Sequence, residues 1–209
     1  MSTGHGAQVL SRIDGDLNNN NPRMSSETRG TFLGLWRNAR ALAAPVAEKE
    51  KAVRESPRWN RFEKHEKLGE LLPSVHSLQS GIEADKARVD GRLDRLKATL
   101  GTVPPKYNDP VTRQLRGAEV RGVLRALPEA QRVPLFMAAA ASGNTDLLDA
   151  VLQSPEPLIA EEITTRGVQA WAEKALPEAW AEAQQTQELS EQLNSLLVQV
   201  QAWANDLEH

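Results

Sequence analysis

The sequence contains no cysteine, and this absence excludes disulfides and thiolate metal sites. No apolar run approaches the roughly 18 residues that a membrane span needs. Residues 1–16 have no basic start followed by an apolar core, so we expect no signal peptide. These absences predict a protein that is made and used in a cytosol-like space.

Aromatic residues are also scarce, with five Trp, three Phe and one Tyr among 209 residues. Stretches rich in β-branched residues are few, which leaves little material for a β-sheet. What the chain has in abundance is helix formers, namely Ala, Leu, Glu, Gln, Arg and Lys. We therefore predict an all-α protein with long amphipathic helices, a compact helical-hairpin subdomain and a coiled-coil-like C-terminal helix.

Polar tracts and helix breakers divide the chain into five predicted segments. The tract over 14–22 is too polar to order itself and marks an arm or linker, and the Pro-rich stretch over 102–110 is the best boundary between two halves. The segments are a flexible N-terminal arm over 1–26, a long helical hairpin or rod over 27–101, a linker over 102–110, a short-helix subdomain over 111–176 and a C-terminal amphipathic helix over 177–209.

Prolines predict where single helices start and stop. Pro45 is expected to end or kink a first helix, and Ser56-Pro57 to cap and open the next one. Pro73 predicts a kink or break in that second helix. Residues 154–176 are expected to form a helix that starts at its Ser-Pro.

The last helix has the clearest packing pattern. Its apolar residues recur at steps of 4-3-4-3-4, the spacing of a coiled-coil seam. The seam consists of Leu189, Leu193, Leu196, Val200, Trp203 and Leu207. Its borders are polar without matched Glu/Lys pairs, so the seam could close on its own chain or on another copy.

The charges are unevenly distributed along the chain. Residues 1–143 carry 23 Lys or Arg and 16 Asp or Glu, a difference of +7, whereas residues 144–209 carry 2 and 12, a difference of −10. A possible basic surface is formed by Arg88, Arg92, Arg95, Lys97, Arg113, Arg116, Arg121 and Arg125. Three interpretations stay open: internal complementarity, ordered self-assembly of basic on acidic parts, and binding of a phosphate backbone.

Motifs that carry chemistry are missing from the sequence. It has no HExxH or other metal-ligand spacing, no phosphate-binding loop and no GxSxG elbow. His65 and His76 are eleven residues apart, roughly 16 Å along a continuous helix and too far to share a metal. We predict no catalytic site, no cofactor and no metal, and hence a protein that is not an enzyme. A helical-bundle enzyme with carboxylates invisible to motif searches is the third hypothesis.

Residues 135–153 contain an Ala-rich helix, a Gly-Asn turn and an Asp-Leu-Leu helix. This arrangement resembles the helix–turn–helix portion of an ankyrin repeat. No second copy and no Thr-Pro-Leu-His entry accompany it. It therefore predicts a helical hairpin and not a repeat protein.

From Val120 to Leu158 the chain reads Val-Arg-Gly-Val-Leu-Arg-Ala-Leu-Pro-Glu-Ala-Gln-Arg, then the hairpin, then Ala-Val-Leu-Gln-Ser-Pro-Glu-Pro-Leu. This is similar to segments of small Ala-rich helical proteins of tailed bacteriophages that accompany capsid and tail components. The resemblance implies a virion or assembly component, located in the virion or the host cytoplasm. It implies contacts with the protein itself or with other virion proteins, and no residue-specific role.

The leading hypothesis from the sequence is a non-enzymatic structural or assembly protein that acts in a multimeric complex. The observations behind it are the charge polarity, the long helices, the N-terminal arm and the seam. The alternative is a nucleic-acid-associated or regulatory helical protein that uses the basic helices between residues 37 and 125. Neither hypothesis includes a membrane span or a small-molecule substrate.

Overall fold

A computed structural model describes residues 4–18 and 26–208 of the chain. Within these residues the protein is all-α, as predicted, with long helices and no strand. The helices are α1 (His5–Asn18), α2 (Ser26–Glu55), α3 (Arg61–Gly69), α4 (Leu72–Leu100), α5 (Pro110–Ala126), α6 (Glu129–Ser142), α7 (Thr145–Leu152), α8 (Glu161–Ala175) and α9 (Pro177–Glu208). No helix in this part of the chain is long and apolar enough to cross a membrane.

Contacts between residues divide the chain into two compact units. Unit 1 consists of residues 1–93 and 184–209, and unit 2 of residues 94–183. The boundaries therefore fall within α4 and α9, whereas the predicted linker over 102–110 lies inside unit 2. The five predicted segments were drawn from helix breaks, and helix breaks do not report which helices pack together.

Packing and capping decide two helix boundaries in unit 1. Of the two outcomes expected at Pro45, an end or a kink, the end does not occur: α2 continues to Glu55, because Ala43, Val46 and Ala47 are buried on both sides of the proline. α3 starts at Arg61 and not at Pro57, since Asn60 and Glu63 form a capping box. The Asn60 side chain accepts a hydrogen bond from the Glu63 backbone N–H at 3.0 Å, and Glu63 Oε2 accepts one from the Asn60 N–H at 2.8 Å.

Pro73 behaves as the sequence predicted. α3 ends at Gly69, and α4 begins at Leu72 with the proline in its first turn. In the first turn a missing N–H removes no intrahelical hydrogen bond. Val75, Leu78, Ile82 and other α4 residues then enter the unit 1 core together with residues of α1, α2, α3 and α9.

The N-terminal helix is anchored in unit 1 by a buried carboxylate. Glu50 of α2 is 1% exposed, and it accepts hydrogen bonds from the Gly6 backbone N–H at 3.0 Å and from Arg54 Nε at 2.7 Å. Arg54 also pairs with Asp206 of α9. A Cβ on Gly6 would lie 2.4 Å from Glu50 Oε2 and 2.7 Å from Trp203 Cζ2, so only glycine fits this approach.

α1 spans His5–Asn18, and Val9 and Ile13 are buried in the unit 1 core. Residues 14–18 of the predicted polar linker continue this helix, while its residues 19–22 lie outside the described residues. The sequence had indicated a flexible arm over 1–26. The described part of that arm packs within unit 1, because Val9 and Ile13 enter the core and the Gly6 backbone N–H donates a hydrogen bond to Glu50.

Unit 2 contains the helical hairpin that the sequence predicted. α6 ends at Gly143, which has a left-handed backbone with φ of 78°, and the Asn144 side chain caps α7. The expected helix over 154–176 begins only at Glu161. Pro155 and Pro157 disfavour helical backbone before them, and Leu158 and Ile159 are buried outside any helix.

In unit 2, α6 and α8 pack closely against each other at Gly167. A Cβ on Gly167 of α8 would lie 2.1 Å from Phe136 Cε1, and Phe136 is 0% exposed. Phe136 belongs to an apolar cluster with Leu124, Leu148 and Trp171. The absence of a side chain at residue 167 therefore makes room for the central aromatic ring of this core.

Candidate interaction surface

Helix α5 begins at a strong local signal in the sequence. The Asp109 side chain accepts a hydrogen bond from the Thr112 backbone N–H at 2.7 Å, and Pro110 occupies the first helical position. The side-chain and backbone hydrogen bonds from Thr112 lower the pKa of Asp109 below its ordinary value of 3.8. Asp109 and Pro110, at the end of the linker predicted over 102–110, therefore determine locally where α5 starts.

One side of α5 packs on the rest of unit 2. Leu124 is 1% exposed within the apolar cluster, and Val120 is partly buried against it. Arg113, on the same side, makes a bidentate pair with Asp149 of α7, with Nε–Oδ2 at 2.7 Å and Nη2–Oδ1 at 2.5 Å. This hydrogen bonding raises the pKa of Arg113 and joins α5 to α7.

The other side of α5 is exposed and apolar. Val111 is 64% exposed and Leu115 is 62% exposed, and Val123 at the edge of this side is 61% exposed. The face has steps of 4-3-4-4, the spacing of a helix face built to contact another helix. We define the α5 face as Val111, Leu115, Ala118, Gly122 and Ala126, all of which are exposed.

The seam of the last helix lies inside its own chain. All six seam residues belong to the apolar core of unit 1, with exposures between 0% and 4%. The spacing allowed the seam to pack on its own chain or on another copy. In the described structure it packs on its own chain.

The predicted basic surface is divided between the two units. Arg88 and Arg92 belong to unit 1, and the other six residues belong to unit 2. Arg88 pairs with Asp85 at 2.8 Å, and Arg92 and Lys97 also make interactions. Arg95 is exposed and has no carboxylate partner among residues 4–18 and 26–208.

On α5 most of the predicted cations are paired with carboxylates of unit 2. Besides the Arg113–Asp149 pair, Arg116 lies 2.7 Å from Glu119, and Arg125 lies 3.7 Å from Glu156. Hydrogen bonds to Tyr107 and then to Glu119 raise the pKa of Arg116. Most of the positive charge of α5 is therefore compensated within unit 2. This corresponds to internal complementarity, one of the three interpretations of the charge pattern.

A second exposed apolar feature lies in unit 1, on the outer side of α9. Val198 is 64% exposed there and lines an open groove of about 440 Å³. We define the α9 groove by its lining residues, which are Gln79, Glu83, Leu197, Val198, Gln201, Ala202 and Asn205. Its only charged lining residue is the carboxylate of Glu83.

Residues with metal-binding side chains do not converge in the described parts of the chain. No group of three or more His, Cys, Asp or Glu residues within them could hold a metal ion. His65 on α3 and His76 on α4 are both exposed, and they lie on separate helices.

The sequence reasoning missed both the α5 face and the burial of Glu50. A signal for the face is present in the sequence, since Val111, Leu115 and Ala118 follow helical spacing, but arginines lie between these residues and dominate the composition of α5. For Glu50 no sequence signal exists, because the carboxylate is buried by partners 44 and more residues away.

Comparisons of the chain with protein-family models, with curated proteins and with solved structures found no match.

Proposed function

We propose that the protein is a non-enzymatic structural or assembly component that acts by docking to copies of itself. The observation that carries this proposal is the α5 face, where two large apolar side chains are more than 60% exposed on one helix. Apolar groups clustered in this way on a surface mark contacts with other proteins, whereas single exposed ones do not.

The proposed occupant of the α5 face is the α9 groove of a second copy. The four arginines of α5, three of which pair with Glu119, Asp149 and Glu156, leave a net charge of +1 on this part of unit 2. The charged residue among those that line the α9 groove is Glu83, which has the opposite sign. Both surfaces also present exposed apolar side chains, Leu115 on one and Val198 on the other. Apolar contact gives the pairing its free energy, and opposite charge sets its orientation.

Such a contact would join different surfaces on the two copies. A contact of this heterologous kind leaves one α5 face and one α9 groove free, so that further copies add to form a ring or a filament. A contact that can repeat from copy to copy is expected of a structural component and not of a regulator that acts as a single molecule. The bacteriophage particle is our proposed setting on the sole basis of the resemblance over residues 120–158.

The decisive experiment combines two variants, Leu115→Ser on the α5 face and Val198→Asp in the α9 groove. Sedimentation velocity or light scattering would follow association over a concentration series at low and high salt. We expect the unaltered protein to associate more strongly at low salt, because salt screens the charges. Each variant alone is expected to be monomeric, and an equimolar mixture to form one heterodimer from the two surfaces that remain intact.

The matched control is Leu152→Ser, which removes a partly exposed leucine of α7 outside the α5 face. It should associate as the unaltered protein does. A monomer at all concentrations in low salt would contradict self-association. Leu115→Ser protein that associates normally would exclude the α5 face, and a mixture without heterodimer would exclude the pairing with the α9 groove.

Nucleic-acid association through the basic helices has less support. Phosphate binding depends on cations that can release counterions, and Arg88, Arg113, Arg116 and Arg125 already pair with carboxylates of the chain. Fluorescence anisotropy with labelled DNA and RNA over a salt series tests this alternative. Binding that falls steeply with salt would favour it over self-docking.

A further inference from the structure

Unit 2 contains a cavity of about 480 Å³ between α5, α7 and the connector before α5. We call it the Arg121 cavity. Its polar lining comprises Tyr107, Asn108, Arg113, Gln114, Arg121, Asp149 and Gln153. A cavity of this size with a few convergent polar groups has the dimensions of a small-ligand or side-chain site.

Two of the three charges in the lining neutralise each other. Both carboxylate oxygens of Asp149 accept hydrogen bonds from Arg113, at 2.7 and 2.5 Å, and Asp149 is 8% exposed. Because Arg113 compensates its charge, the Asp149 carboxylate attracts a further cation only weakly. The Arg113–Asp149 pair forms one wall of the cavity.

Arg121 supplies the remaining charge. Its guanidinium makes one long hydrogen bond, from Nη1 to the Ala150 carbonyl oxygen at 3.4 Å, and it has no carboxylate partner within residues 4–18 and 26–208. A guanidinium has five N–H donors, so most of its hydrogen-bonding capacity is unused by the protein. The side chain is half-buried, which weakens its screening by water.

The position of Arg121 depends on a glycine one helical turn earlier. A Cβ on Gly117 would lie 2.9 Å from Arg121 Nη1, closer than such atoms approach. Glycine in the middle of a helix is less stable than alanine. The glycine at this position lets the guanidinium lie against the helix backbone at the edge of the cavity.

We propose that the Arg121 cavity binds a carboxylate group. The lining has a net charge of +1, from two arginines and one aspartate, which matches a singly charged anion. A planar carboxylate fits the fork of a guanidinium, and the amides of Gln114 and Gln153 offer further donors. A doubly charged phosphate is disfavoured, because Asp149 lies in the same wall.

The carboxylate can belong to a free small acid or to a Glu or Asp side chain of a docked protein. Both sources present the same group to Arg121. This inference does not depend on the docking of α5 and α9, since the cavity lies on the side of α5 that faces α7.

Two-dimensional ¹H–¹⁵N NMR titration of the full chain tests the site. The probes are acetate, a glutamate-rich peptide blocked at both ends, and inorganic phosphate, all at constant ionic strength. We expect saturable shifts of the Gly117 and Ala150 amide signals with a carboxylate probe and weaker effects with phosphate. Stronger binding of acetate would identify a free acid as the source, and stronger binding of the peptide an acidic side chain.

Three variants sharpen the test. Arg121→Gln should weaken carboxylate binding about tenfold or more, as expected for the loss of a charged hydrogen-bond donor. Arg95→Gln is the matched control, because Arg95 is an exposed arginine without a carboxylate partner in the described chain. Its binding should be unchanged.

Gly117→Ala separates binding from folding. Alanine should raise the thermal midpoint by removing a mid-helix glycine, while it displaces Arg121 and weakens carboxylate binding. The proposal is overturned if neither carboxylate probe gives saturable shifts, if phosphate binds as tightly as the carboxylates, or if Arg121→Gln and Gly117→Ala bind as the unaltered protein does.

Discussion

The two units treat similar apolar helix faces in opposite ways. In unit 1 the seam of α9 is covered by its own chain, and none of its six residues is more than 4% exposed. In unit 2 the α5 face has nearly the same spacing, yet Val111 and Leu115 are more than 60% exposed. The difference shows that helical spacing identifies a face suited to packing without identifying its partner.

The units also differ in where they place charge. Unit 1 buries Glu50 at the N-terminus of α1, and its neighbour Arg54 reaches α9. Unit 2 keeps its Arg113–Asp149 pair at the edge of a cavity, with the Arg113 side chain 34% exposed. A buried carboxylate that holds several helices together is a structural element, whereas a pair that lines a cavity leaves neighbouring groups open to a ligand.

The largest expected effect comes from making the same substitution in both units. Leu196→Ala in the α9 seam should lower the free energy of unfolding by about 2–5 kcal/mol, because it leaves a cavity in the core. Leu115→Ala on the α5 face should change it by less than about 0.5 kcal/mol. Urea unfolding followed by circular dichroism measures both. Equal losses would contradict the contrast between a covered and an open face.

A second comparison lies within unit 2 and concerns two glycines. Gly167→Ala should lower the free energy of unfolding by about 1–3 kcal/mol, because the added methyl group overlaps the Phe136 ring. Gly122→Ala, with no atom within 4 Å of the new Cβ, should raise it by up to about 1 kcal/mol. Thermal and urea unfolding provide the measurements. If both variants were stabilised, α6 and α8 would not pack as closely as described.

The buried carboxylate of unit 1 is expected to have a smaller effect. Glu50→Gln should lower the free energy of unfolding by about 1–2 kcal/mol, since it weakens charged hydrogen bonds to Gly6 and Arg54. Glu48→Gln, on the exposed side of α2, is the control and should be nearly neutral. Hydrogen exchange of the α1 amides should be faster in Glu50→Gln than in Glu48→Gln. Unchanged protection of α1 in Glu50→Gln would argue against this anchor.

The smallest expected effect is local and depends on pH. Because Asp109 has a lowered pKa in the folded protein, the stability that it contributes is present above its ordinary pKa of 3.8 and is lost as pH falls through the lowered value. Asp109→Ala should therefore lower the urea midpoint at pH 7, and the difference from the unaltered protein should shrink at low pH. Asp94→Ala, at an exposed position in α4, is the control. If the difference in urea midpoint between Asp109→Ala and the unaltered protein grew on acidification, the pKa of Asp109 would not be lowered by folding.

Local signals made the fold class and several helix ends predictable. The cap at Asp109-Pro110, the turn at Gly143-Asn144 and the start of α9 at Pro177 are each decided by a few neighbouring residues. The errors occurred where distant residues compete with such signals. Residues 154–160 form no helix, because Leu158 and Ile159 are buried in another conformation.

The candidate surfaces were predictable only in part. The sequence indicates the arginines of α5 as a group, but their pairing with Asp149 and Glu156 joins residues that are more than 30 positions apart. The role suggested for Arg121 depends on the absence of a carboxylate partner within the described residues. A sequence does not reveal which arginine of a helix lacks such a partner.

What the sequence by itself determined is the helical content, most helix boundaries and the apolar seam of α9, because these follow from propensities, caps and spacing within a few turns. Only the tertiary structure decided that the seam is closed by its own chain and that the α5 face is open. It also decided that Glu50 is buried and that Arg121 lines a cavity. Burial and pairing depend on residues brought together from far along the chain, and no local pattern records them.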